Sequence, residues 1–132
     1  MNKFAQVLAF GSILEIGTGL VLMVDPGTVS MLLLGAQISG IATLLGRFFG
    51  VTLLSLGVAC WPWGRGSVPA GTSFLGMLIY NVLVAAYLTY LGVSTYMGGV
   101  MLWPAVVLHA AVALVLVWAS HDETSPTEKG KG

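Results

Sequence analysis

The sequence predicts an all-α fold, a four-helix transmembrane bundle, from three observations. Of the 132 residues, 57% are hydrophobic and only 8% are charged, whereas a soluble globular domain carries about 25% charged residues. Four apolar segments of about 20 residues each are long enough to cross a hydrocarbon core of ~30 Å. Turn-forming residues separate them. Because lipid offers the backbone no hydrogen-bond partners, the segments should be helices, antiparallel between neighbours and left-handed in their packing.

The spans follow the apolar runs of the chain. The first ends at the turn signal Asp25-Pro26-Gly27, and the second ends where a turn-rich connection begins at Trp61. Glu15 interrupts the first run and no small-residue cleavage site follows it, so this run is interpreted as a span and not as a signal peptide. The predicted spans cover residues 4–24, 40–61, 72–92 and 100–119.

The stretch between the first two spans, residues 28–39, is longer than a minimal turn. Residues 29–34 can form a short interfacial helix capped by Gly35, or they can be an early start of the second span. We favour the separate helix. Residues 1–120 are predicted to form one transmembrane domain, and residues 121–132, which contain no apolar side chain, a disordered polar tail.

The basic residues outside the spans predict the orientation. With four spans, one side of the membrane holds the basic residues Lys3, Arg65, Lys129 and Lys131. The other side has no Lys or Arg outside the spans, and its one charged residue there is Asp25. By the positive-inside rule, both termini are expected in the cytoplasm (N-in, C-in) of a multi-pass membrane protein.

Each predicted span carries one strongly polar side chain near its middle: Glu15, Arg47, Asn81 and His109. If the spans share their boundaries, all four lie roughly 10–16 Å from the extracytoplasmic side and form one midplane layer. A lone charge at that depth costs at least about 2.5–3.5 kcal/mol, so Glu15 and Arg47 are expected to pair.

Small residues beside this layer indicate close helix packing. Gly11 and Gly19 lie one turn on either side of Glu15, and Gly46 and Gly50 form a G-x-x-x-G motif beside Arg47. Small side chains let helix backbones approach where lipid provides no hydrophobic drive. The four glycines are therefore predicted to be helix-packing residues.

Two functions fit this layer. The first is a non-enzymatic accessory or structural subunit of a membrane complex, or a homo-oligomer, in which the polar layer only fixes helix register. The alternative is a small proton- or ion-coupled transporter or channel, with Glu15 titrating and His109 carrying protons. A paired arginine would keep Glu15 ionised, so that it could not exchange protons near neutral pH. This favours the accessory or structural subunit over the transporter. The expected partners are the lipid bilayer and other membrane chains or further copies of this one.

The sequence lacks the residue patterns that other functions require. No catalytic triad, zinc spacing or nucleotide-binding motif is present, and the net charge of zero gives no reason to expect nucleic acid. The sequence therefore predicts no enzyme, no catalytic residue, no metal and no cofactor. His109 is the single histidine within a span, which argues against haem, and the methionines are expected to fill gaps in apolar packing rather than to bind Cu(I). These methionines are Met23, Met31, Met97 and Met101.

Several motifs resemble one bacterial group. They are the runs 32–35, 45–50 and 54–57, the pair Tyr80-Asn81, and the run 102–105 followed by His109. Together they resemble uncharacterised small four-helix inner-membrane proteins of the DoxX-like neighbourhood, in which a proline follows the first span and an Arg-x-x-Gly lies in the second. The resemblance implies a bacterial inner membrane location and an accessory role beside larger membrane complexes.

A second resemblance is more local. The string Leu14-Glu15-Ile16-Gly17-Thr18 is similar to the first helix of small multidrug resistance transporters, which carry a central glutamate. This chain departs from them in having Arg47 in its second span, in lacking their lysine late in the first helix, and in its polar tail. The resemblance implies that Glu15 is the group that a transporter would use.

Overall fold

A computed structural model describes residues 2–63 and 70–124, which are helical apart from their connections. Four of the helices are long and apolar enough to cross a membrane, which confirms the predicted four-helix transmembrane class. Helix α5 continues a few residues beyond the predicted start of the tail, and residues 125–132 lie outside the described part. The helices are α1 (Lys3–Val24), α2 (Pro26–Leu34), α3 (Ile41–Cys60), α4 (Ala70–Ser94) and α5 (Leu102–Thr124).

Asp25 separates α1 from α2. Its N–H donates to the Val21 carbonyl (2.8 Å) and closes α1, while its carboxylate accepts from the Thr28 N–H (3.1 Å) and hydroxyl (2.6 Å) and caps α2. These hydrogen bonds hold the pKa of Asp25 below its ordinary value. Gly35 ends α2 with a left-handed backbone, φ 70°, and donates to Met31. The separate short helix is thus confirmed.

The C-terminal end of α2 is closed by the connection between α4 and α5. The last carbonyls of a helix have no partner within it. Here the Leu33 carbonyl accepts from the Gly99 N–H and the Leu32 carbonyl accepts from the Met101 N–H, both at 2.9 Å. We call this end of the bundle, where α2 meets residues 95–101, the α2 end, and the opposite end, which holds residue 3, the terminal end.

Helix α1 lies between the other long helices. Helix α3 packs antiparallel against it, since Gly19 meets Gly50 and Ser12 meets Gly57. Helix α4 runs parallel to α1, and α5 packs antiparallel on α4, where Gly92 meets Leu102. Side chains from α1, α3, α4 and α5 then share one apolar core: Phe4, Leu8, Cys60, Met77, Val112, Leu116 and Ala119.

The two packed helices α1 and α3 are staggered. A Cβ on Gly46 would lie 2.7 Å from the Pro26 Cβ, and a Cβ on Gly57 would lie 2.8 Å from the Ser12 carbonyl oxygen. Gly46 is therefore level with Pro26, the first residue of α2 and the second residue after the end of α1. Measured along the bundle axis, α3 therefore begins about 8 Å beyond the end of α1 at the α2 end. At the other end of α3, its last residue, Cys60, lies at about the level of Gly11.

Candidate functional site: a buried polar cluster

Side chains from three helices meet in a polar cluster, defined as Ser12, Glu15, Tyr80, Asn81 and His109. The Tyr80 hydroxyl donates a hydrogen bond to the Glu15 carboxylate, which joins α4 to α1. The Tyr80 ring meets the His109 ring edge to face at 5.7 Å. The His109 Nδ1 lies 2.8 Å from the Asn81 Oδ1, which joins α5 to α4. Three of the four residues predicted for the midplane layer are therefore brought together.

Asn81 orients the histidine. Its side chain is 2% exposed, and its Nδ2 donates to the Met77 carbonyl at 2.9 Å. The Oδ1 is then the atom that faces His109, so the hydrogen-bond network assigns the proton to Nδ1 of the imidazole. In the neutral ring this leaves Nε2 free to accept a proton or a hydrogen bond.

Ser12 is the unsatisfied member of the polar cluster. It is completely buried, and its Oγ has no hydrogen-bond partner within the part of the chain that the structure describes. An unsatisfied buried hydroxyl costs about 1–3 kcal/mol. Since residues three apart lie on one helix face, Ser12 and Glu15 face the same region of the core.

The polar cluster lies near half depth. Glu15 is nine residues before the end of α1 at Val24, or roughly 13 Å. Asn81 and Tyr80 occupy the middle of α4, and the contact with His109 sets α5 at the same level. A carboxyl group, an amide and an imidazole at this depth must satisfy one another or bind something else, because lipid cannot do so.

Arg47 is not part of the polar cluster, which corrects the expected pairing with Glu15. Its side chain is exposed, and Gly46 beside it is level with Pro26. The residue of α3 nearest in level to Glu15 is close to Gly57, ten residues or about 15 Å from Arg47. The prediction assumed that the end of the first span and the start of the second lie at one level, whereas the stagger of α3 moves Arg47 to the α2 end.

The predicted packing glycines lie at helix contacts. Gly19 and Gly50 face each other between α1 and α3, and Gly46 faces Pro26. Gly11 faces α4 instead, where a Cβ would lie 3.2 Å from the Met77 Sδ. Gly57 also lies in the α1–α3 contact, and sequence reasoning missed it. Its place two turns after Gly50 on the same helix face is the signal that identifies it.

Glu15 has no basic counter-charge beside it among the described residues. The Tyr80 hydroxyl donates a hydrogen bond to Glu15, and the Cys60 thiol at the end of α3 lies close enough to interact with the charge of Glu15. Within the described chain, no three His, Cys, Asp or Glu side chains gather as metal ligands would. The chemistry that this arrangement offers is exchange of protons or binding of a small ion at an oxygen-rich position.

Comparisons with known proteins give no relative. No protein-family model, no curated protein and no solved structure matches the chain. The two resemblances noted in the sequence therefore stay predictions.

Proposed function

We propose that the protein is a small proton- or ion-coupled membrane carrier that works without enzymatic chemistry, with Glu15 as the group that binds the ion. One observation supports this function above others. Glu15 is 2% exposed at half depth, and the structure describes no Lys or Arg beside it. An ionisable residue in that position is a functional group by default.

The argument against transport depended on Arg47, because a paired arginine would keep Glu15 permanently ionised. With Arg47 about 15 Å away along α3, an exchangeable proton or small cation has to neutralise the carboxylate instead. Tyr80 and His109 extend the site toward α4 and α5, and the free Nε2 of His109 is a second position for a proton. The resemblance to small multidrug resistance transporters supports the same role for Glu15.

The proposed location is a bacterial inner membrane with both termini in the cytoplasm. The excess of Lys and Arg that the sequence predicts on the side of the termini supports this orientation. Among the described residues, Lys3 lies at the terminal end and Arg47 lies near the α2 end. A topology reporter fused to the C-terminus should be active only on the cytoplasmic side. A reporter active outside the cytoplasm would contradict the orientation.

A proton-flux measurement tests the carrier. The protein is reconstituted in liposomes that contain a pH-sensitive dye, and an imposed pH gradient drives the flux. We expect a flux that Glu15→Gln abolishes, because the amide can bind neither a proton nor a cation. Arg47→Gln is the matched control and should keep the flux, since Arg47 lies outside the polar cluster. Loss of flux in both variants, or a wild-type flux that survives Glu15→Gln, would contradict the proposal.

A second candidate is the accessory subunit or homo-oligomer, and one observation favours it. The outer face of α3 carries Arg47, Thr52 and Ser55, all exposed, beside apolar side chains such as Phe48, which is 71% exposed. An exposed arginine on a spanning helix is costly in contact with lipid, so another membrane chain or a second copy is proposed to cover this face. Purification from native membranes in mild detergent should then yield a dimer or a stoichiometric second chain. A monomeric particle without partners would exclude this candidate.

A further inference from the structure

We propose that Ser12 and Glu15 form the core of a binding site for a small monovalent cation, with sodium as the ion. This inference rests on the proposed function, because it names an ion that the polar cluster binds in competition with the proton. It goes further in assigning a role to Ser12, which the proton reaction alone does not need.

The first observation is the free hydroxyl of Ser12. Helical hydroxyls commonly donate to the carbonyl four residues earlier. Thr52 donates in this way to Phe48 at 3.1 Å, and Ser55 donates to Val51 at 2.8 Å. Ser12 is fully buried, yet its Oγ makes no hydrogen bond within the described chain. A ligand at this position would satisfy the Ser12 oxygen.

The second observation is the nature of the surrounding atoms. Hard cations take oxygen ligands, and the sodium sites of membrane transporters are built from oxygen atoms. Glu15 supplies a carboxylate one helical turn from the Ser12 hydroxyl, on the same face of α1. The Tyr80 hydroxyl donates a hydrogen bond to Glu15, and its oxygen keeps a lone pair that can face a cation.

Charge decides between the possible occupants. A water molecule would satisfy the Ser12 hydroxyl but would leave the Glu15 carboxylate uncompensated in lipid. A proton on Glu15 would neutralise it but would leave the Ser12 oxygen without a partner. A monovalent cation does both. The other titratable groups that face Glu15 are Tyr80 on α4, His109 on α5 beyond Tyr80, and Cys60 on α3, and none brings a permanent positive charge.

Thermal unfolding of the full chain in detergent tests the site. The Tm is measured by tryptophan fluorescence in sodium chloride and in choline chloride at equal ionic strength, between about pH 6 and 9. We expect sodium to raise the Tm by on the order of 5 °C at saturation, more at high pH, where fewer protons compete for Glu15. Ser12→Ala and Glu15→Gln should remove the sodium effect. Ser55→Ala, whose hydroxyl is bonded to its own helix, should keep it.

Binding of radioactive sodium to the same variants provides a second measurement if a variant unfolds too early for a reliable Tm. A sodium effect that survives Ser12→Ala, or no sodium effect at any pH, would overturn the proposed site. If the Tm depends on pH through Glu15 but not on sodium, the proton carrier stands and the sodium site fails. If sodium binds but liposomes show no flux, the site stands and the carrier fails.

Discussion

Gly19→Ala should lower the Tm far more than Gly17→Ala, although both add one methyl group to the same helix. A Cβ at Gly19 would lie 2.7 Å from the Gly50 carbonyl oxygen and from the Leu54 nitrogen. Both atoms belong to the backbone of α3, so neither can move aside as a side chain would. We expect a loss of about 1–3 kcal/mol or more in the free energy of unfolding, typical of overpacking.

Gly17 is the matched control for this change. A Cβ at Gly17 would have no heavy atom within 4 Å, because the residue faces away from α3. The two variants can be compared by thermal or denaturant unfolding in the same detergent. Equal stability of the two would show that α1 and α3 do not approach as closely as the structure describes. Gly50→Ala should behave as Gly19→Ala does, since its Cβ would lie 2.6 Å from the Gly19 carbonyl oxygen.

Gly99→Ala should detach α2 from the bundle, whereas Gly98→Ala should be tolerated. A Cβ at Gly99 would overlap the Leu32 carbonyl group and lie 2.6 Å from the Met31 carbonyl oxygen, while a Cβ at Gly98 would meet open space. Gly35 and Gly40 are the glycines of positive φ in the described chain. The effect at Gly99 is therefore expected from steric overlap of the added Cβ and not from backbone conformation.

The expected effect at Gly99 follows from the bonds that would break. Moving residue 99 away removes the hydrogen bonds that satisfy the Leu32 and Leu33 carbonyls, at about 1–3 kcal/mol for each group left unsatisfied. Hydrogen exchange of the α2 amides should accelerate in Gly99→Ala and stay near wild type in Gly98→Ala. Unchanged exchange in both variants would contradict the role of this connection in holding α2.

Much of the fold follows from local sequence signals. The predicted span over residues 40–61 agrees with helix α3, Ile41–Cys60. Gly35 ends the short helix α2 in the left-handed backbone conformation that glycine adopts readily. Apolar run length and turn residues decide such features, and both can be read along the chain. The polar residues after position 119 predict that the last span ends there, whereas α5 continues as a helix to Thr124.

The candidate site could be predicted only in part, because it depends on how helices are shifted against one another. Their polarity within apolar runs identifies Glu15, Asn81 and His109. Counting residues from the span ends also places Arg47 with them, because nothing in the sequence specifies the stagger that α2 and the Gly46–Pro26 contact impose on α3. The sequence does not identify Tyr80 and Ser12 as members of the polar cluster, since tyrosine is common at interfaces and a helical serine ordinarily bonds to its own backbone.

The half-depth position of Glu15 also decides how an ion at this residue would experience the membrane potential. Glu15 lies 12 residues, or roughly 18 Å, after the start of α1 at Lys3 and nine residues, or roughly 13 Å, before its end at Val24. One charge that crosses the whole membrane potential gains about 2.3 kcal/mol per 100 mV. An ion that moves between Glu15 and either side of the membrane would therefore cross roughly half of the voltage drop, so both halves of the route should depend on voltage.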